Sequence, residues 1–223
     1  MKKILSFVKL DFMTIRPYLT IKNLIVILAV ATVLAVAGKS VITPMSMVIA
    51  FVTIYISYPF AVGEQNGIDP LYITLGLDRD TVVTGRYLWA LAMNIAGLIL
   101  SVVISFGLSL VLDIPIVWSE TALIMLTIFL LFSLIQGMQL PIYFKLGYTR
   151  AKSFAYLPFI MISIIVIVVI NLGKRIPVDK INRVLVNLER NPGLTIIVGL
   201  LIWAGAMALS YILSKRWYAK REF

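Results

Sequence analysis

The chain has 223 residues, of which 61% are hydrophobic, and a formal net charge of +10 at pH 7. Soluble domains are only about 45–50% apolar, so this composition excludes an ordinary soluble protein and indicates a polytopic membrane protein. The positive charge is typical of cytoplasmic Lys and Arg in such proteins, and we expect no nucleic-acid partner. The sequence contains no Cys and no His, which excludes disulfides and removes the commonest metal ligand and general base.

Residues 1–17 predict an interfacial elbow helix rather than a membrane span. At helical spacing, this segment has an apolar face and a basic face. The apolar face consists of Ile4, Leu5, Val8, Phe12 and Ile15, and the basic face consists of Lys2, Lys3, Ser6 and Lys9. A helix with a basic face lies in the membrane interface, and Pro17 ends it. Two interpretations stay open: an anchor that sets orientation, or a helix that also docks a partner.

Six apolar segments follow, and the sequence predicts that each crosses the bilayer; the first is near the lower limit of the roughly 17–25 residues that a span needs, unless it starts nearer Leu19. They cover about residues 23–37, 44–62, 87–112, 119–144, 154–172 and 194–213. The sequence therefore predicts an all-α integral membrane protein with six transmembrane helices in a single domain, residues 1–223. Six spans place both termini on the same side of the membrane.

The distribution of Lys and Arg orients this arrangement. The side that holds both termini, a loop of residues 63–86 and a connector of residues 145–153 carries fourteen of them, and the opposite side carries six. The positive-inside rule predicts that the side with fourteen is cytoplasmic. Residues 173–193 form an apolar stripe with charges elsewhere, which predicts an extracellular amphipathic helix before the last span. Five basic residues in that helix weaken the bias.

The loop of residues 63–86 is the most patterned polar segment. Asp69 and Pro70 are typical of a helix start, and Gly76 is typical of a helix end. Between them runs an apolar stripe at helical spacing, made of Ile68, Leu71, Tyr72 and Leu75. Asp78 or Asp80 can cap a second helix that continues into the next span. We expect a short amphipathic helix at the membrane surface that contacts another protein.

The predicted spans contain almost no ionisable groups, and their main deep polar residues are Asn94, Gln136 and Gln139. Gln136 and Gln139 share a helical face, and Asn94 lies in the third span; these three either line a translocation path or form interhelical hydrogen bonds. Ion-coupled transporters usually carry ionisable groups within the membrane, and hydrolysis needs paired carboxylates, an HExxH motif or a His-activated Ser. The sequence shows neither pattern, so we expect neither ion-coupled transport nor enzyme activity. Energy for any transport would then enter through the cytoplasmic loop of residues 63–86.

Two short motifs carry a resemblance to a known family. Residues 64–69 read EQNGID and residues 82–87 read VVTGRY, similar to the E-x-x-G-x-D and V-x-x-R-Y patterns in permease subunits of ABC-2 type exporters whose ATPase is a separate chain. The resemblance extends over essentially the whole chain, although a Leu-Pro pair is frequent in the family where this chain has residues 76–78. No Walker motif is present: Gly38-Lys39-Ser40 lacks the first glycine of that loop, where Val33 stands.

The resemblance implies partners and site residues. Residues 69–75 would form a coupling helix seated in a groove of a cytoplasmic ABC ATPase, with residues 145–153 beside it. Two ATPases, which would bind ATP and Mg, and a second permease, the same chain or a sibling, would complete the complex. The permease itself would hold no cofactor. The expected ATPase-coupling residues are Glu64, Asp69, Leu71, Tyr72, Leu75, Asp78, Arg79 and Arg86, and the possible path residues are Asn94, Gln136 and Gln139.

The implied function is ATP-driven export across a bacterial cell membrane. Such small permeases resemble exporters of amphipathic or antimicrobial-type peptides, such as phenol-soluble-modulin-like toxins or bacteriocins, although an apolar path suits peptides, lipids and drugs alike. The main alternative is a non-transport docking, assembly or sensor subunit. An ion-coupled transporter or a membrane enzyme is a third alternative.

Overall fold

The computed structural model describes residues 2–74, 76–154, 156–173 and 191–221. Within these ranges every regular element is a helix, which confirms the prediction of an all-α integral membrane protein. In chain order the elements are α1 (Lys2–Ile15), a 3-10 turn (Arg16–Tyr18), α2 (Ile21–Gly38), α3 (Ile42–Tyr55), α4 (Tyr58–Gln65), α5 (Ile68–Thr74), α6 (Arg79–Leu112), α7 (Trp118–Ala151), α8 (Leu157–Gly173) and α9 (Pro192–Ala219).

Five segments of the described chain are long and apolar enough to cross a membrane. They are α2, the combined α3 and α4, α6, α7 and α9, while α8 is apolar but shorter. The predicted number of six spans therefore stays a prediction. α6 has 34 residues, about 51 Å at 1.5 Å per residue, and α7 runs about 44 Å from Trp118 to a non-helical turn at Gly147, whereas the hydrocarbon core is about 30 Å thick. Both helices therefore extend beyond the bilayer.

Several helix boundaries differ from the predicted ones. The predicted span 44–62 is divided at Ile56 and Ser57 between α3 and α4, because Pro59 opens a new helix and lacks the N–H that a continuous helix would need. The predicted connector 145–153 is helical to Ala151, except for a non-helical turn at Gly147. Helices continue past the membrane because their backbone hydrogen bonds are satisfied internally in water as well as in lipid.

The elbow helix α1 has three faces rather than two. Phe7, Asp11 and Ile15 are buried against the bundle, whereas Leu5 and Phe12 are exposed. The predicted apolar face omits Phe7 and Asp11, because a two-sided pattern describes a helix between water and lipid and α1 also packs on protein. The predicted extracellular helix of residues 173–193 lies outside the described residues, except for the ends that border α8 and α9.

Among the residues that the structure describes, the helices pack around three buried clusters. One joins α2, α3 and α6, and a second joins α3 and α7. The largest lies where α1, α4 and α5 meet the start of α6 and the ends of α7 and α9, and its buried members include Phe7, Phe60, Tyr72, Trp89, Phe144 and Tyr218. The elements predicted to form the cytoplasmic end are thus built into one core.

Polar side chains and a glycine hold α9 against its neighbours. The Trp203 indole N–H donates to Ser133 Oγ on α7 at 2.6 Å, and Ser210 donates to the Gly137 carbonyl. A Cβ added at Gly137 would lie 2.8 Å from Met207 Sδ. Small residues let membrane helices approach closely where water cannot drive association, so the α7–α9 contact depends on the missing side chain at residue 137.

We expect Gly137→Leu to push α9 away from α7. Overpacking of this kind costs about 1–3 kcal/mol of stability, so the melting temperature in detergent should fall. Gly199→Leu is the matched control, since it brings the same gain in helix propensity and a Cβ there meets no atom within 4 Å. Thermal unfolding of both variants measures the difference. Equal melting temperatures for the two would contradict the close packing at residue 137.

Candidate functional site

The short helix α5 is bounded by two glycines in the left-handed region. Gly67 (φ 60°) precedes it and Gly76 (φ 72°) follows it. The Leu77 N–H donates to the Tyr72 carbonyl at 3.0 Å, which is the hydrogen bond of a Schellman helix end. A side chain at either position would strain the backbone. The helix begins at Ile68, so Asp69 lies within its first turn rather than before it.

α5 has an anchored side and an outward side. Tyr72 is only 4% exposed, and its ring packs edge-on against Phe7 of α1 with centroids 5.1 Å apart. Leu71 is 50% exposed, so it does not share the buried side with Tyr72 as a single stripe would require. Successive residues of a helix point about 100° apart, so Leu71 and Tyr72 face different surroundings. Leu75 lies outside the described residues.

A buried ion pair joins α1 to α6. Arg86 Nε lies 3.4 Å from Asp11 Oδ2, and both side chains are 1% exposed. The guanidinium carbon also lies 5.5 Å from the ring centre of Phe7 and 4.6 Å from that of Phe60. Aromatic faces attract a cation, so these rings support a charge that has left water. Arg86 thereby connects α1, α4 and α6.

The contact between α1 and α6 places the Phe7 ring against a glycine of α6. A Cβ added at Gly85 would overlap the ring of Phe7. The ring therefore lies directly on the backbone of α6, one residue before Arg86. This contact fixes the position of α1, and through Phe7 the position of Tyr72 in α5.

Aromatic rings continue the connection to α7 and α9. Phe60 of α4 packs against Tyr143 and Phe144 of α7, each with a centroid distance of 5.1 Å. Phe144 in turn packs edge-on against Tyr218 of α9 at 5.1 Å. A continuous series of side-chain contacts therefore leads from α5 to the last helix.

Glu64 ties the end of α4 to the turn in α7. Its Oε2 accepts hydrogen bonds from the backbone N–H groups of Tyr148 and, at 3.2 Å, Thr149. These N–H groups are presented by the positive φ of Gly147 (75°). A Cβ at Gly147 would lie 2.6 Å from Glu64 Oε2 and 2.7 Å from Arg221 Nη2, so the carboxylate, the turn and the C-terminal segment meet at one point.

Two of the predicted loop residues lie at the junction of α6 and α9. Asp78 occupies the N-cap position of α6 with an extended backbone, and its carbonyl accepts from Thr81 N at 2.9 Å, but its side chain makes no capping bond. Arg79 Nη1 donates to the Tyr218 carbonyl at 3.0 Å and to the Ala219 carbonyl. A cation at the C-terminal carbonyls of a helix is stabilising, so Arg79 caps α9.

The three predicted path residues have different surroundings, and their role in a path stays a prediction. Asn94 donates to the Phe129 carbonyl of α7 at 3.3 Å, and Gln136 donates to Thr53 Oγ1 of α3 at 3.3 Å; both are buried interhelical contacts. Gln139 alone of the three lines a cavity of about 140 Å³. Its other lining residues come from α3, α7, α8 and the segments beside them, and include Thr53, Ser57, Tyr143, Tyr148, Lys152 and Tyr156.

Sequence reasoning selected Glu64, Tyr72, Arg79 and Arg86, and it expected the connector 145–153, which holds the partners of Glu64, to lie nearby. It identified none of the partners of the other three. The structure adds Phe7, Asp11, Phe60, Phe144 and Tyr218 to the site. One signal was available: Asp11 is an acidic residue in an apolar helix face, four positions after Phe7, and a buried carboxylate requires a cation.

These features define a multi-pass, all-α membrane protein with a short amphipathic helix anchored at one end of its bundle. A family model described as ABC-2 family transporter protein matches residues 6–219, from the first turns of α1 to the end of α9. The chain belongs to this family and is a membrane permease component of an ABC transporter, which associates with an ABC ATPase. No curated protein and no solved structure matches this chain.

The buried ion pair gives a first prediction for this site. Asp11→Asn leaves the Arg86 charge buried without its carboxylate, and we expect a loss of about 3–5 kcal/mol, seen as a lower melting temperature in detergent. The double variant Asp11→Leu, Arg86→Met replaces both charges by apolar groups and should recover most of that loss.

The matched control is the exposed pair between Lys215 and Asp80, whose Nζ–Oδ2 distance is 2.7 Å. Lys215→Gln should change the melting temperature little, because solvent screens exposed charges. A loss in Lys215→Gln as large as in Asp11→Asn would show that burial of the Asp11–Arg86 pair is not what makes it important.

Glu64 gives a second prediction. Glu64→Ala removes the acceptor for two backbone N–H groups. A hydrogen bond to a charged group contributes about 1.5–3 kcal/mol to stability. We expect amide hydrogen exchange in residues 147–150 to rise at least tenfold, measured by mass spectrometry. Glu120→Ala, at the exposed first turn of α7, is the control and should leave that peptide unchanged. Unchanged exchange in Glu64→Ala would rule out a restraining role for this carboxylate.

Proposed function

We propose that this permease belongs to an ATP-driven exporter and receives force from a separate ATPase through residues 63–86. The observation that carries the proposal is the division of α5 into two sides. Leu71 is half exposed, whereas its neighbour Tyr72 is buried against Phe7. An exposed apolar side chain on a short, anchored helix is suited to enter a groove on a partner.

The contacts of the site support transmission of movement from α5 into the membrane. A displacement of α5 acts on Phe7, and the Asp11–Arg86 pair makes α1 and the start of α6 move together. α6 carries the movement through the bilayer, and Arg79 links its first turn to the end of α9. Packed cores shift between discrete arrangements rather than deforming continuously, so closure of the ATPases around ATP would change the arrangement of several spans at once.

The rest of the proposed complex follows from the family resemblance. Two ATPases, which hold ATP and Mg, act on two permeases, either two copies of this chain or this chain with a sibling. The termini and both polar loops face the cytoplasm of a bacterial cell, and the cargo is an amphipathic peptide. The scarcity of ionisable groups in the spans supports a source of energy outside the membrane.

Leu71→Asp should abolish association with the ATPase while leaving the bundle folded. The substitution places a charge at an apolar contact, where removal of a central anchor typically costs 2 kcal/mol or more. The measurement is affinity purification in mild detergent, with co-purifying proteins identified by mass. Leu71→Met, which keeps an apolar side chain, is the control and should retain the ATPase.

Undiminished recovery of the ATPase with Leu71→Asp would contradict the role of α5. If wild-type protein copurifies only with proteins other than ATPases, the docking or sensor alternative takes precedence. Transport distinguishes the mechanism: the complex in inverted vesicles should accumulate an amphipathic helical peptide only with ATP. Accumulation driven by a proton or sodium gradient without an ATPase would instead favour an ion-coupled transporter.

A further inference from the structure

An apolar cleft of about 360 Å³ opens between the N-terminal elements and the bundle. It lies between α1, the start of α2, α3 and α6. Its lining includes Phe12, Leu19, Leu24, Val52, Met93 and Ala96. The cleft is separate from the contacts of α5, which lie at Phe7 on another face of α1.

The polar groups at one end of the cleft are engaged with each other. Asn23 Nδ2 donates to the Tyr18 carbonyl and to Tyr55 Oη, both at 2.8 Å. Thr20 Oγ1 accepts from the Asn23 N–H at 3.4 Å as the N-cap of α2. These bonds leave a lining suited to hydrocarbon. An extended peptide would not be satisfied there, because its own backbone N–H and C=O groups need partners inside a membrane.

Three exposed cations lie beside residues that line the cleft. Lys22 stands between Ile21 and Asn23, which both line it. Lys9 lies three residues before Phe12 on α1, the spacing that places side chains on one helical side, and Arg16 follows directly after α1 as the first residue of the 3-10 turn. The positive end of the α2 dipole adds to this charge. Between Asp11, which pairs with Arg86, and Glu64 the sequence contains no acidic residue.

We propose that the cleft binds an acyl chain of an anionic diacyl phospholipid, with the lipid phosphate among Lys9, Arg16 and Lys22. The apolar cleft and the positive charges of Lys9 on α1, Arg16 in the 3-10 turn and Lys22 on α2 match the two parts of such a lipid. The site would fix the hinge between α1 and α2. This inference does not depend on the transported substrate or on the ATPase.

Small residues of α6 create the space. Ala96 and Gly97 line the cleft, and a Cβ at Gly97 would already lie 3.1 Å from Val52. Ala96 is exposed, so a larger side chain there enters the cleft without displacing the core. Ala92, one turn earlier on α6, is also exposed but does not line the cleft, and provides the matched control.

The test uses the full chain in nanodiscs with a phosphatidylglycerol that carries a photoreactive diazirine in one acyl chain. Cross-links mapped by mass spectrometry should concentrate on residues 19–27 and 93–100. Ala96→Phe should reduce these cross-links at least fivefold, whereas Ala92→Phe should not. Phosphatidylcholine with the same chains should label the cleft at least fivefold less, and Lys9→Gln, Arg16→Gln, Lys22→Gln together should remove that difference between the lipids.

Each contrary result overturns a stated part of the proposal. Labelling spread evenly over the apolar surface, with no effect of Ala96→Phe, would show annular lipid only. Equal labelling by the two lipids would exclude recognition of the anionic headgroup. Loss of labelling on addition of an amphipathic helical peptide would assign the cleft to a peptide instead. If Ala96→Phe lowers the melting temperature, Ala96→Leu and the triple charge variant decide the question.

Discussion

The buried ion pair between Asp11 and Arg86 holds together the end of the bundle that contains α5, which the predicted topology places on the cytoplasmic side. Removing each charge from water costs several kcal/mol. A pair that is 3.4 Å apart and 1% exposed offsets this cost only where neighbouring groups also stabilise the two charges. Two aromatic rings face the guanidinium, and Gly85 allows α1 to lie directly on α6. The pair therefore determines where α1 lies and, through Phe7, where α5 is held.

The protein combines two kinds of helix contact. Within the spans, α9 is held by hydrogen bonds of Trp203 and Ser210 and by close approach at Gly137, as expected where lipid competes equally for apolar surface. At the end that holds α5, large aromatic side chains and charged groups form the contacts. Aromatic packing is rigid and buries much area, so this end acts as one body to which the individual spans are attached.

The extent of sequence-based prediction differs between the spans and the site. Apolar runs locate the long helices because a bilayer demands about 20 apolar residues in succession, and Gly76 marks the end of α5 because its left-handed conformation is local. The partners of Arg86 and Glu64 depend on tertiary contacts with residues distant in sequence, which no periodicity encodes. The outward direction of Leu71 and the inward direction of Tyr72 likewise depend on which side of α5 meets α1.

The ion pair also constrains the synthesis of the chain. Asp11 emerges from the ribosome long before Arg86, so the carboxylate has no buried partner while α2, α3 and α4 are being made. During that interval a basic, interfacial α1 can keep Asp11 in contact with water, and burial has to wait until the first turns of α6 appear. The order of translation thus favours an N-terminal helix that rests on the membrane first and is drawn into the bundle only when the third long apolar segment is delivered.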